Sequence, residues 1–229
     1  MLTVAAAPAH PGPWFSGDPA DGRGLDAATV AAVAALLGFP ADRVRWVAAE
    51  PRAAVRDPSG RADLGVGQLV IPDGPSAQID YSTGYFPVTQ VVVTRRSAGV
   101  SSSLAGVRGV RVAVAGDSRA AAVLSATPGL TGGPPPSRLA DPAAALAAVR
   151  SGAADAAAVD ILTATAAPDL KILGELPAPV EKAQVAQLGL ILPPGSKLTS
   201  CVSTAIDVLR VQGSLSLIKA RWVPVAPLK

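Results

Sequence analysis

The sequence predicts an α/β protein of two lobes, and three observations carry the prediction. Residues 1–95 alternate apolar, β-branched runs with helical periodicities, the order expected of a mainly parallel sheet. A small, polar stretch at 97–103 separates this series from a second one that starts at 110–115. The run at 186–192 and the amphipathic pattern at 197–212 then bring the chain back to the first series. Two crossings, near residues 94 and 190, predict a discontinuous first lobe (1–94 and 191–229), a second lobe (95–190) and a central cleft. Hinge motion is expected at 92–95 and 188–192.

Residues 2–7 form a short apolar run bounded by Pro8, read as a first strand. The following loop, 8–23, carries His10, Trp14 and Phe15 among prolines and glycines; Trp14 is either a pocket wall or a cap on the core. Leu25, Ala28, Val33, Leu36 and Leu37 recur at helical spacing, and Gly38 stands where that helix would stop. A strand at 44–48 and a short helix at 51–56 precede the Asp57-Pro58-Ser59-Gly60 turn.

The stretch 62–86 organises the chain. Leu64, Val66, Leu69, Val70 and Ile71 read as one strand, Gly65 and Gly67 permit close approach of backbone or ligand, and Pro72-Asp73-Gly74-Pro75 supplies a turn. Such a stretch suits the rim of a binding cleft. The β-branched run at 90–95 reads as a strand leaving this lobe.

In the second series, the strand 110–115 runs through Gly116-Asp117-Ser118-Arg119 into a helix, and 131–137 reads as a Gly/Pro loop. A strand passing through glycine and a hydroxyl into a helix start is an anion site, although Asp117 or Ser118 is also an ordinary N-cap. After a helix from Asp141 to about Arg150, the run 153–159 ends on Asp160, read either as an N-cap or as a pocket carboxylate at a strand end. Strands at 171–176 and 186–192 and helices at 197–212 and 215–222 complete the chain.

Composition narrows the function. With 229 residues, 49% hydrophobic and 16% charged, the chain has enough apolar surface for a core without metal or disulfide staples. It lacks the uninterrupted apolar run of about eighteen residues that a spanning helix needs. The net charge of +3 comes from scattered Arg and Lys with no aromatic interleaving, which argues against nucleic acid. Cys201, the single cysteine, falls inside a helical pattern far from His10 and reads as a small buried side chain. Met1-Leu2-Thr3-Val4 is strand-like and lacks the features of a secretory signal, so a cytoplasmic chain and one freed of a leader both remain open.

Asp63-Leu64, then Ile79-Asp80-Tyr81-Ser82 through Tyr85-Phe86, follow without a gap the strand, loop and aromatic entry of a known family. Residues 107–114, 145–160 and the closing Lys219-Ala220-Arg221-Trp222 continue the pattern. The chain thus resembles the extracytoplasmic solute-binding proteins of ABC importers, the polar amino-acid-binding group (family 3), over essentially its whole length. The resemblance implies a two-lobed, type II periplasmic-binding-protein fold, an extracytoplasmic monomer without cofactor, a small polar solute and ABC-transporter membrane subunits as partners.

Candidate ligand contacts are Trp14, Gly67, Gln68, Tyr85 and Arg119 from the residues themselves, and Glu50, Val70, Pro75, Ser118 and Asp160 by the resemblance. Three depart from the family. Pro75 stands where an arginine grips the ligand's carboxylate, Val70 replaces a hydroxyl, and Glu50 falls where an aromatic stacks. Ser118 and Asp160, the latter the family's α-amino partner, are retained, and Arg119 is a candidate for the missing cation. The expected solute is therefore amino-acid-like or amine-like and bound atypically. Two other readings rank lower. One is an enzyme on this scaffold, such as a small cyclic-acid dehydratase using Asp160, Glu50 or His10, for which no nucleophile–base pair or metal-ligand spacing is visible. The other is a sensory or scaffolding lobe pair that has lost solute binding.

Overall fold

Two units make up the chain: Met1–Pro87 with Ala186–Pro224, and Val88–Val185 with Val225–Lys229. The structure, a computed structural model, describes residues 1–7, 12–74, 76–130, 133–177 and 185–229. His10 and Pro75 lie outside the described residues.

The first unit is built on β1 (Leu2–Ala6), buried at every position and flanked in parallel by β2 (Val44–Ala48) and β3 (Leu64–Val66). Burial on both faces of the sheet explains why its residues, Thr3 apart, are apolar without alternation. β12 (Ile191–Leu192) pairs antiparallel with β3 and with β4 (Asp80–Tyr81), giving the order β2-β1-β3-β12-β4. Gly65 is required where β3 meets β12, since a Cβ there would come within 2.7 Å of the Ile191 side chain. Helices α1 (Leu25–Leu36) and α2 (Pro51–Arg56) make the connections. The terminal α7 (Leu198–Val211) and α8 (Ser214–Trp222) pack on α1. A separate ribbon pairs β5 (Phe86–Pro87) with β11 (Gln187–Leu188).

In the second unit β6 (Gln90–Arg95) runs antiparallel between β9 (Ala156–Asp160) and β10 (Leu170–Glu175), while β7 (Val112–Ala115) is parallel to both β9 and β8 (Ser137–Leu139). Helices α3 (Leu104–Arg108), α4 (Arg119–Ala126), α5 (Pro142–Ser151) and α6 (Ile161–Thr165) belong to this unit. Ala156, Ala157 and Ala158 keep β9 thin, so that α4 and α5 both reach it. Arg111 fixes the entry to β9: its guanidinium donates to both Asp155 carboxylate oxygens and to the carbonyls of Gly152 and Ala153. Those bonds hold the Asp155 carboxyl down at about 2.

Several expectations are corrected. The strand read across Leu64 to Ile71 stops at Val66, because Gly67 (φ 145) and Gln68 (φ 56) turn the chain. The run 90–95, read as a strand leaving the first lobe, lies between two strands of the second unit. The chain passes between units after Pro87, before Ala186 and again after Pro224, so it crosses more often than the two passes read from the sequence. The last pass was hidden because the tail pairs through a lone bridge, Glu175 to Pro227, and one buried side chain, Leu228. Cys201 is exposed: the buried stripe of α7 is Val202, Ala205, Ile206 and Leu209, and Cys201 falls off its edge. The loop read over 131–137 contains the start of β8, and α3 follows the stretch read as a linker. No single helix among the described residues is long and apolar enough to cross a membrane.

Candidate functional site

In the first unit the candidate groups gather around the turn that ends β3. Gln68 is the one non-glycine with positive φ among the described residues, a conformation that costs an L-residue roughly 1–2 kcal/mol. What holds it there is Asp26, in the first turn of α1. The carboxylate Oδ2 accepts from the Gln68 backbone N–H at 3.1 Å, and Oδ1 accepts from the Tyr85 hydroxyl at 2.7 Å. Asp26 is 0% exposed, and this burial pushes its carboxyl up to about 7, against the two donors, which lower it. The Tyr85 phenol is pushed well above its usual range, first by burial and then by the Asp26 charge.

The turn is also stitched to the ribbon β5–β11. Ile71 N–H donates to the Gln187 carbonyl, Gly189 N–H to the Leu69 carbonyl and Tyr85 N–H to the Leu188 carbonyl, each within 2.9 Å, and Val70 bridges Leu188. Gly67 is buried, Gln68 and Leu69 are half-buried, and Val70 is exposed. Residues 67–71 therefore form a fixed loop with Asp26 on one side and the 187–189 segment on the other.

Elsewhere in this unit the expected contacts are placed differently. Trp14 is a core residue, 2% exposed and edge-on to Phe86 at 5.3 Å. Tyr85 is equally buried, its hydroxyl committed to Asp26. Glu50 is exposed and caps α2 by accepting from Ala53 N–H at 2.7 Å. Pro75 lies outside the described residues.

The second unit brings Ser118 and Asp160 to neighbouring strand ends. β7 lies parallel to β9, with Val114 opposite Ala158, so both strands end on the same edge of the sheet. Ser118 caps α4, accepting from Ala121 N–H at 3.1 Å and donating to the Ala115 carbonyl at 2.7 Å. Asp160 caps α6 with both oxygens: Oδ1 accepts from Thr163 N–H at 2.9 Å and Oδ2 from the Thr163 hydroxyl at 2.7 Å. The carboxylate is thus oriented, half-buried and left with acceptor capacity on each oxygen. Arg119 is exposed at the start of α4.

Two groups escaped the sequence reading. Asp26 reads in the sequence as an ordinary first-turn acid, and the available signal was its neighbourhood: Leu25, Ala27, Thr29 and Val30 are all buried with it. Arg52, on α2, is the other: its Nη1 donates to the Tyr81 hydroxyl at 2.6 Å, and its guanidinium lies 5.7 Å from the centre of that ring. The ion pairs among the described residues are Arg111–Asp155, Arg150–Asp169 and Arg210–Asp207, so Arg52 has no acidic partner there. A cavity of about 180 Å³ in the second unit is walled by Val107, Arg108, Val112, Leu124, Leu130 and Pro135 and contains none of the candidate residues. Among the described residues no cluster of three or more His, Cys, Asp or Glu side chains could hold a metal.

The model of the bacterial extracellular solute-binding proteins, family 3, matches residues 2–225. No curated protein matches the chain. Among solved structures, the second substrate-binding domain of Lactococcus lactis GlnP, in an open conformation, is 19% identical with a TM-score of 0.65, covering 96% of this chain and 94% of that one. The unliganded, open L-cystine solute receptor of Neisseria gonorrhoeae is 24% identical with a TM-score of 0.62, covering 100% and 94%. A histidine kinase sensor domain similar to periplasmic binding proteins is 22% identical with a TM-score of 0.54, covering 99% and 97%. The structural likenesses give the fold, the mixed α/β periplasmic-binding-protein type. With the family model spanning nearly every residue, the chain belongs to family 3 of the bacterial extracellular solute-binding proteins.

Proposed function

We propose that this chain captures a small polar solute, amine-like or amino-acid-like, outside the cytoplasm and delivers it to the membrane subunits of an ABC importer. The observation that supports the reading is a pair of helix caps in the second unit that follow adjacent parallel strands, Ser118 after β7 and the oriented Asp160 carboxylate at the end of β9. In open α/β sheets ligands bind at the carboxyl ends of the strands. Asp160 accepts, so it selects a donor, and a charged ammonium gives the stronger bond. The names of the similar structures, a cystine receptor and a GlnP substrate-binding domain, support an amino-acid-sized solute.

Pro75 in place of an arginine tilts the preference from zwitterions towards amines, because a buried carboxylate left without its cation costs several kcal/mol. Binding requires no chemical step. A sensory role is the second reading, favoured by the likeness to the kinase sensor domain.

Calorimetry with putrescine, L-arginine and L-glutamine tests the preference. Putrescine should bind tightest, and Asp160→Asn, which keeps an oxygen to cap α6, should weaken it by roughly 10- to 100-fold, the worth of a charged hydrogen bond. Tight binding of L-glutamine that is indifferent to Asp160→Asn would overturn it.

A further inference from the structure

We propose that Asp26 is the positioning residue of the loop 67–71: its buried carboxyl holds Gln68 in the left-handed conformation and joins the loop to Tyr85, where the chain is about to leave the first unit. That this loop faces the solute rests on the function proposed above; that Asp26 governs its shape does not. Three segments distant in sequence meet on this one carboxyl. From α1 comes the acid, from the end of β3 the Gln68 N–H, and from the entry to β5 the Tyr85 hydroxyl. The same loop is bonded through Leu69 and Ile71 to residues 187–189, the segment by which the chain re-enters the unit. A change in the carboxyl is therefore felt both where the loop turns and where the chain passes between units.

Ionisation changes that carboxyl without changing its shape. When protonated, Asp26 donates its own proton to the Tyr85 oxygen and keeps a neutral acceptor for Gln68; when ionised, it accepts from both, and the bond to Gln68 becomes charge-assisted. The facing titratable group is the Tyr85 phenol. The charged groups on the elements packed against α1 are Asp207 and Arg210 of α7, Lys219 and Arg221 of α8, Asp21 of the short helix before α1, and Asp42 and Arg43 of the short helix after it. Burial, the dominant influence, places the change near pH 7.

The test uses the full chain without solute. In the wild type the Gln68 amide resonance should titrate with a midpoint near 7, and in Asp26→Asn, which keeps the shape and one acceptor, it should be flat. Hydrogen exchange at Gln68, Ile71 and Gly189 should stay slow in Asp26→Asn and quicken at least tenfold in Asp26→Ala. A wild-type Gln68 amide that does not titrate between pH 5 and 9, or one that titrates equally in Asp26→Asn, would overturn the proposal even if Asp26→Ala fails to fold. A parallel thermal-shift series with putrescine and L-glutamine asks whether the affinity carries the same inflection. Failure of both probes to bind counts against the solute-binding reading, while the solute-free titration still decides the role of Asp26.

Discussion

Asp26→Asn should flatten the dependence of stability on pH between about 4 and 7. The folded chain holds the Asp26 proton to about 7, whereas the ordinary value is 3.8. Because the folded state is the tighter proton binder, the contribution of protonated Asp26 is fully present below pH 3.8 and is lost progressively as pH rises through about 7. At about 1.4 kcal/mol per pKa unit, the displacement corresponds to a loss on the order of 4 kcal/mol across that window. The physical cause is desolvation: the ionised carboxylate would be enclosed at 0% exposure with two donors, Tyr85 and Gln68, and among the described residues no cation is paired with it. The asparagine, uncharged throughout, should be less stable than the wild type at pH 4 and its equal or better at pH 8. Urea unfolding of both proteins at pH 4, 6 and 8 checks this; parallel profiles would mean that Asp26 is ionised over the whole range.

The second large effect belongs to Gly24, which sets up the same corner. Its φ of 105 lies where side chains are strained, and an added Cβ would sit 2.3 Å from the Trp14 carbonyl oxygen and 2.6 Å from the Phe15 Cα. These are backbone atoms, and they are held: Asp26 N–H donates to the Trp14 carbonyl and Leu25 N–H to that of Pro13. Relief would require moving the segment that places Trp14 against Phe86. Gly24→Ala should therefore cost roughly 3 kcal/mol or more, combining backbone strain with overpacking. Gly38, past the other end of α1, also has a positive φ of 81 but nothing within 4 Å of an added Cβ, so Gly38→Ala should cost only about 1 kcal/mol. Denaturation midpoints of the two variants make the comparison, and equal losses would refute the steric argument.

The legible parts of the fold were those whose local chemistry and tertiary fate agree. The helix at 25–36 ends at Gly38 as read, and the strands at 44–48 and 90–95 fall where β-branched runs predicted them. The strand at β3 was overextended because Leu69, Val70 and Ile71 look like its continuation, and the bonds that turn the chain there, to Asp26 and to residues 187–189, are tertiary. The break between β11 and β12 was likewise invisible: Gly189 is there because a Cβ would come within 2.7 Å of Ile71, more than a hundred residues earlier.

The candidate site followed the same division. Ser118 and Asp160 stand at strand-to-helix junctions, which carry their own capping signals, and the structure puts both on such junctions. Trp14 and Tyr85 were read for their aromatic faces, but both are packed into the first unit, the phenol serving Asp26. A buried acid whose partners lie 42 and 59 residues away has no periodic signature, so its role emerged only from the coordinates.

Solute capture itself is tested most directly by a thermal-shift screen of the full chain against amines, amino acids, sugars and small carboxylic acids, since any ligand of the folded state raises the midpoint by mass action. Solute capture predicts that at least one amine or amino acid raises it in a concentration-dependent way, with amines ahead of carboxylates, and that Asp160→Asn shrinks the rise at a given solute concentration. No shift from any of the four classes, or a shift from carboxylates alone that Asp160→Asn leaves intact, would contradict it.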